Sequence, residues 1–491
     1  MTIPLPTAPA RPTHAWLRRT HIAFVPGPST PLLDATVATI LRCFDAQGHQ
    51  IQAAPEATTD AILTTARFGE PLDWRTALMF AARRRFGLPA TPPVYTLVHV
   101  HPAVLDEMLG RLAAALAKDP PDPADFAFPG LAPTAHQVLV EHGRRGGPIL
   151  ALERIMQAWT KGFRVLLVVG DDRPLYAYHF DLVGAYPVSD GADPAAFYAD
   201  VVLRIATTVS TSDVTDHALG GPPIPQAAWR ELATPPAMCR AGREFGARDF
   251  FTDPVRIAEL VHVPAVPGAV ASQYSEGCFA TWEPALGALL TTITGSVRAV
   301  DKGKITEDEI AVIVGLRPDR TGALVRHVEG KRNDPPSSEA VELFDLGTAL
   351  PRVALPGGNP AARVPVVRSS LHGHRGIAAY DPRRVEFAPL DPPYYHYLVS
   401  CATAGQAQGV TAAFARAVAL RDPADPRQVV FTVLPGHGVI FAEKWVPGTA
   451  PYQTIWEYMD AGYIQTASRV PQGVMGYIPG PDGMMVLRTG A

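Results

Sequence analysis

Cysteine is scarce: Cys43, Cys239, Cys278 and Cys401 are the only four, they lie far apart, and no two form a CxxC pair. A disulfide framework and a paired-cysteine zinc site therefore have no basis, and a reducing cytoplasm is the expected compartment. Charge is also sparse, at 18% of residues with a net value of −4. No lysine and arginine stripe is present, so nucleic acid is not an expected partner. The brief tract Arg83-Arg84-Arg85 falls on a helical pattern and reads as a solvated helix end. No apolar run approaches the length that spans a bilayer, so no membrane partner is expected. The first residues lack a basic region followed by an apolar core, so a secretory leader is not expected. GxGxxG, Walker and GxSxG patterns are all missing, which removes the sequence case for a nucleotide cofactor and for a hydrolase of the GxSxG kind.

What is present is an ordinary globular composition, 47% apolar over 491 residues, too long for a single hydrophobic core. The 50 prolines are scattered, which gives stiff loops rather than a low-complexity region. Residues 21–26 read as a strand, followed by a helix over 31–47 with Thr30 as cap and Pro31 at its first position. Strands at 50–53, 60–65 and 94–100 alternate with helices at 73–86 and 104–117, the pattern of a parallel sheet covered on both faces. A second α/β block is expected from about 135, with a helix at 149–160, a buried strand at 164–170, a further strand at 175–180, and helices at 194–210 and 253–261. Beyond 330 strands dominate, at 364–369, 385–388, 397–400 and 428–434, with helices at 406–420 and 455–461. The expected fold class is α/β: two Rossmann-like parallel-sheet domains followed by a β-rich C-terminal domain. The expected divisions are 1–134, 135–295 and 296–491.

The stretch 272–329 carries the expected chemistry. A short segment ends in Glu276, a helix is expected over 281–293, Thr294-Gly295 breaks it, and an extended piece at 296–300 delivers Asp301. The acids are 301 − 276 = 25 residues apart, enough for one helical crossover that returns the chain to the same sheet edge. Two carboxylates on neighbouring strand ends suit a divalent ion with hard oxygen ligands, magnesium or manganese, and an added imidazole favours manganese. Three histidine clusters could supply one: Leu371-His372-Gly373-His374, Tyr394-Tyr395-His396-Tyr397 and Gly436-His437-Gly438. His372 and His374, two apart on an extended chain, point the same way. Cys278 reads as a small buried residue, and Lys331 and Arg332 as loop cations.

Ser275-Glu276-Gly277, then Leu289-Leu290-Thr291-Thr292-Ile293-Thr294-Gly295, then Val300-Asp301, resembles the metal-binding segment of the L-fucose/L-arabinose isomerase superfamily. Pro393-Tyr394-Tyr395-His396-Tyr397 resembles that family's late histidine segment, with Tyr395 where the family has a first histidine. The resemblance covers residues 265–330 and 390–420. It implies a manganese-dependent aldose–ketose isomerase acting through a cis-enediol, with Glu276, Asp301 and His396 as metal ligands and the two acids as the catalytic pair. His374, Trp282 and Tyr395 would then contact the sugar, and a homo-oligomer is implied because the family's sites lie between subunits. A non-catalytic carbohydrate-binding protein on the same scaffold, or another metal-assisted enzyme such as a lyase or hydrolase, are the alternatives.

Overall fold

The computed structural model describes residues 19–71, 94–160, 163–171, 173–180, 185–187, 193–211, 217–251, 277–294, 300–318, 322–337, 339–356, 361–390, 404–422, 424–434, 438–467, 477–479 and 485–487. The expected helices at 73–86 and 253–261, the extended piece at 296–300 except its last residue, and the strand at 397–400 lie outside these residues.

The first part builds one sheet from β1 (His21–Phe24), β2 (Gln50–Gln52), β3 (Ala61–Arg67), β4 (Val94–Val100), β5 (Phe163–Val169), β6 (Pro174–Phe180) and β7 (Ala185–Pro187). The spatial order is β2-β1-β3-β4-β5-β6-β7. The first five are parallel, and β6 and β7 run antiparallel at the edge. Among the described residues four helices accompany them: α1 (Pro31–Ala46), α2 (Pro102–Leu116), α3 (Ala135–Thr160) and α4 (Pro194–Thr211). As expected, Thr30 caps α1, its side chain accepting from Leu33 N–H at 3.2 Å. Leu33, Val37, Ile40 and Phe44 of α1 form one core with Val201 and Ile205 of α4. Leu105 and Leu112 of α2 form another with Leu139, Leu152 and Trp159 of α3. α3 contains a break at Gly147, φ 77°, ahead of Pro148, whose ring removes a helical N–H.

This sheet corrects the expected division at 134. β5 lies beside β4 in parallel register, His99 opposite Leu167, so the strands assigned to a second α/β domain extend the first sheet. The physical reason is the apolar character of 165–169 (VLLVV): such a strand needs neighbours on both sides and cover on both faces, and β4 offers an edge.

Among the described residues the second sheet has nine strands, in the order β17-β18-β19-β15-β9-β10-β11-β12-β8. In chain order the elements are β8 (Ala218–Leu219), α5 (Gln226–Arg230), α6 (Thr234–Ala247), β9 (Cys278–Glu283), β10 (Ala288–Thr292), β11 (Ile310–Leu316), β12 (Ala323–Arg326) and α7 (Ala340–Thr348). They continue with β13 (Arg352–Ala354), β14 (Arg363–Pro365), β15 (Val367–Gly373), β16 (Gly376–Tyr380), β17 (Val385–Phe387), α8 (Ala404–Arg416), α9 (Val418–Arg421), β18 (Val429–Leu434), β19 (Gly438–Lys444), α10 (Gln453–Asp460) and β20 (Ile464–Ala467). A small antiparallel pair, Tyr477–Pro479 with Met485–Leu487, lies near the end of the chain. β9 and β10, from before residue 295, are bonded into the same sheet as β15, β18 and β19 from beyond it. A boundary at 295 would cut this sheet too. Among the described residues no helix is long and apolar enough to cross a membrane.

The helix expected over 281–293 is instead the antiparallel hairpin β9–β10, Trp282 opposite Leu289 and Ala280 opposite Thr291. Two signals in the sequence mark it. Pro284 cannot sit inside a helix without losing a hydrogen bond, and Gly287 takes a left-handed φ of 57° in the turn, its N–H donating to Pro284 O at 3.2 Å. The residues flanking that turn, Phe279, Thr281, Trp282 and Thr291-Thr292-Ile293, favour strand.

Gly277 precedes β9 with φ 98°, and a Cβ built there would lie 2.6 Å from His372 O. Gly277→Ala is therefore expected to lower unfolding stability by about 2–4 kcal/mol, from backbone strain and overpacking together. Gly287→Ala, with a left-handed φ but no atom within 4 Å of its Cβ, is the control and should cost only about 1 kcal/mol in the same denaturant titration.

Candidate functional site

The two faces of β9 divide its side chains. Phe279 packs with Phe245, Phe250, Phe251 and Tyr452 on the side of α6 and α10. Cys278, Ala280 and Trp282 face α7, sharing a core with Ala340 and Leu343. His372 of β15 stands directly opposite Cys278, so the two side chains lie on the same face of the sheet. His372 Nδ1 is 3.1 Å from Val439 O, and its ring centroid is 5.0 Å from that of His374. The two imidazoles therefore point the same way, as expected, and both are buried. The neighbouring glycines serve packing. A Cβ at Gly373 would meet the Phe250 ring at 2.3 Å, and one at Gly438 would meet Gly373 O at 2.1 Å.

Beside Cys278 lies a group of buried polar side chains. Lys302, 2% exposed in the turn 302–304 that follows Asp301, interacts electrostatically with Cys278, Glu339 and Asp301. Burial holds its ammonium below the ordinary lysine range, against the pull of those three groups. Burial, with Glu339 adding to it, raises the Cys278 thiol well above its usual value, so it is a neutral thiol rather than a nucleophile. Ser337 hydrogen-bonds with Cys278 and donates to Glu339 Oε2 at 2.6 Å.

Glu342, on the inward side of α7, accepts a hydrogen bond on Oε2 from Gln406 Nε2 of α8 at 2.5 Å. Burial pushes its carboxyl up to about 8; Gln406 opposes this, and Glu339 and Asp345 reinforce it. Its other oxygen, Oε1, is buried and has no hydrogen-bond partner among the described residues.

Of the residues expected to bind metal, Asp301 alone is described. Its Oδ1 accepts from Gly303 N–H at 2.9 Å, capping the turn, and its Oδ2 pairs with Lys304 Nζ at 3.0 Å. Glu276, Tyr395 and His396, with Tyr394, Tyr397 and His437, lie outside the described residues. Among the described residues no three metal-ligating side chains meet. Trp282, expected to contact a sugar, is committed to the core: it is 5% exposed, packs in one cluster with Leu289 and Leu343, and has the Arg352 guanidinium over its ring at 5.7 Å. The reason is strand alternation, which turns residue 282 to the face that α7 covers. Arg332 is an exposed loop cation as expected, but Lys331 is half-buried, and burial lowers its ammonium to about 8. Lys331 Nζ donates to Ile310 O at 2.6 Å and lies over the Trp229 ring at 4.3 Å, and Arg332 pairs with Asp334 at 3.0 Å.

Comparison with protein-family models and with curated proteins finds no match for this chain.

Lys302, Ser337, Glu339, Glu342 and Gln406 were not singled out from sequence. One signal was available for Glu342. The run 340–347 (AVELFDLG) is apolar on nearly all sides, so an acid within it must be buried, and a buried acid requires a partner or a proton.

Proposed function

We propose that this chain is a metal-dependent aldose–ketose isomerase of the fucose isomerase type, working where the segment after Glu276 meets the segment after Asp301. The observation that carries the reading is that Lys302, 2% exposed, lies within electrostatic reach of Cys278, 302 − 278 = 24 residues earlier. The residue just before Gly277 and the residue just before Lys302 are the two acids that the chemistry requires. In this reading the hairpin β9–β10 takes the place of the expected helical crossover.

Asp301 fits a divalent ion by its donor chemistry. It is a carboxylate held by one backbone N–H and by Lys304, whose side chain is 83% exposed. With Glu276 and His396 it would hold manganese, which when bound polarises the sugar carbonyl and stabilises an enediolate. The acid pair would take a proton from one sugar carbon and return it to the neighbouring one. Lys302 places fixed positive charge beside the position where negative charge develops. His374, with His372 behind it, would contact the sugar. Cytoplasmic location and a homo-oligomer, which light scattering would detect, belong to the same proposal.

The test is incubation with manganese chloride and a panel of aldoses in deuterated water. The expected result is a ketose carrying one solvent deuteron, formed only with metal and lost on chelation. Saturable sugar binding without turnover at any manganese concentration would instead make this a carbohydrate-binding protein. Metal-dependent bond cleavage without ketose would make it a lyase or hydrolase.

A further inference from the structure

We propose that Glu443 and Arg368 form a pH-sensitive latch that holds α10 and the segment leading into it against the second sheet, behind the turn that carries Asp301. The inference stands apart from the isomerase reading. The two residues belong to neighbouring strands, β19 and β15, and both grip the backbone of one strap. Arg368 Nη1 donates to Thr449 O at 2.7 Å. The two Glu443 oxygens accept from Tyr452 and Thr454 N–H at 2.6 and 2.9 Å. At the second grip Tyr452 holds a left-handed φ of 67°, a conformation that a tyrosine keeps only while its surroundings enforce it. The strap backs the candidate site through α6. Trp456 of α10 packs against Phe245, and Asp460 pairs with Arg248 at 2.6 Å. On the far side of α6 a Cβ at Gly242 would lie 2.6 Å from Lys302 O, and one at Gly246 would lie 2.9 Å from Gly303 Cα.

The latch senses pH because closing it buries a carboxyl. Glu443 is 0% exposed, and its hydrogen bonds come from the strap itself. The charged group facing it is Arg368 of β15, whose Nη1 is committed to Thr449 O; Tyr452 and Tyr458 are the titratable groups of the α10 segment that reach it. Its cross-strand neighbours, Ser369 of β15 and Val429 of β18, carry no charge. Burial pushes its carboxyl up to about 7, against the pull of Arg368 and the two N–H groups. Once the strap lifts, the carboxyl meets water and returns to its ordinary value of 4.5. The open form therefore binds fewer protons than the closed one. The hold is complete below pH 4.5 and falls away as pH climbs from there through 7.

Hydrogen exchange of the full chain, followed by mass spectrometry between pH 5 and pH 8 and corrected for the intrinsic pH dependence of exchange, reads this opening. In wild type the opening constant over residues 450–461 should rise on the order of fiftyfold across that range, while α1, in the first sheet, serves as reference and stays level. Glu443→Gln keeps the size of the side chain but cannot ionise. Its strap should open more readily than wild type at pH 5, because the amide N–H group confronts one of the two backbone donors, and its opening constant should not change with pH. A wild-type strap whose opening rises no more steeply than that of α1 would overturn the latch, and that comparison needs no variant. A slope in Glu443→Gln equal to that of wild type would overturn it too, because another group would then be titrating.

Discussion

Glu276→Gln and Asp301→Asn are each expected to lower manganese-dependent kcat/KM by about a thousandfold, the usual worth of a catalytic acid or base, with little change in stability. The Asp301 half of this prediction can be argued atom by atom. Asn keeps the side-chain carbonyl that accepts from Gly303 N–H at 2.9 Å, so the cap of the 302–304 turn survives. What it loses is charge, and the charge is paired with Lys304, whose side chain is 83% exposed, so the pair adds little to folding. Lys302 keeps Cys278 and Glu339 as electrostatic neighbours. A variant of unaltered melting temperature with lost turnover places Asp301 in the chemistry. A variant that retains more than about a tenth of the activity reduces Asp301 to a turn cap and removes the isomerase reading. Steady-state ketose formation, run beside a thermal melt, decides it.

Much of the first sheet was legible because its signals are local. Pro31 after Thr30 announces α1, and the apolar runs at 61–66 and 165–169 announce buried strands. Their assignment to one sheet was not legible, since pairing of β4 with β5 is a long-range fact across the whole of α3. The hairpin at 278–292 was misread for a different reason. Apolar residues at 286, 289, 290 and 293 mimic a helical stripe, and the stripe outweighed Pro284 and Gly287, which decide the matter. At the site, Asp301 and the histidine pair were visible as residue types with known chemistry. Lys302 and Glu342 were not, because a lysine beside an aspartate and a glutamate in a helix are ordinarily solvated. Packing alone makes them buried and therefore consequential: α6 lies against the 302–304 turn, with Gly242 close to Lys302 O, and α8 lies against α7, with Gln406 on Glu342.

That burial has a thermodynamic cost, and Glu342→Gln is expected to relieve it. The Glu342 carboxyl is raised from 4.5 to about 8 in the folded chain. An acid raised by folding contributes its full stability below pH 4.5, where it is neutral in both states, and loses it as pH climbs toward 8, because the unfolded chain ionises freely while the folded chain resists. Glutamine cannot ionise, so the variant escapes this loss. Its advantage over wild type should grow from roughly 1 kcal/mol or less at pH 5 to roughly 4 kcal/mol at pH 8. Urea midpoints measured across that range should therefore diverge as pH rises. Glu443, raised to about 7 by burial on β19, titrates in the same window and the same direction, and its oxygens accept from Tyr452 and Thr454 N–H at 2.6 and 2.9 Å. It is present in both proteins, so its contribution cancels in the difference and the divergence reports Glu342 alone. A gap that stays flat between pH 5 and pH 8 would mean that the folded chain ionises Glu342 as readily as the unfolded one.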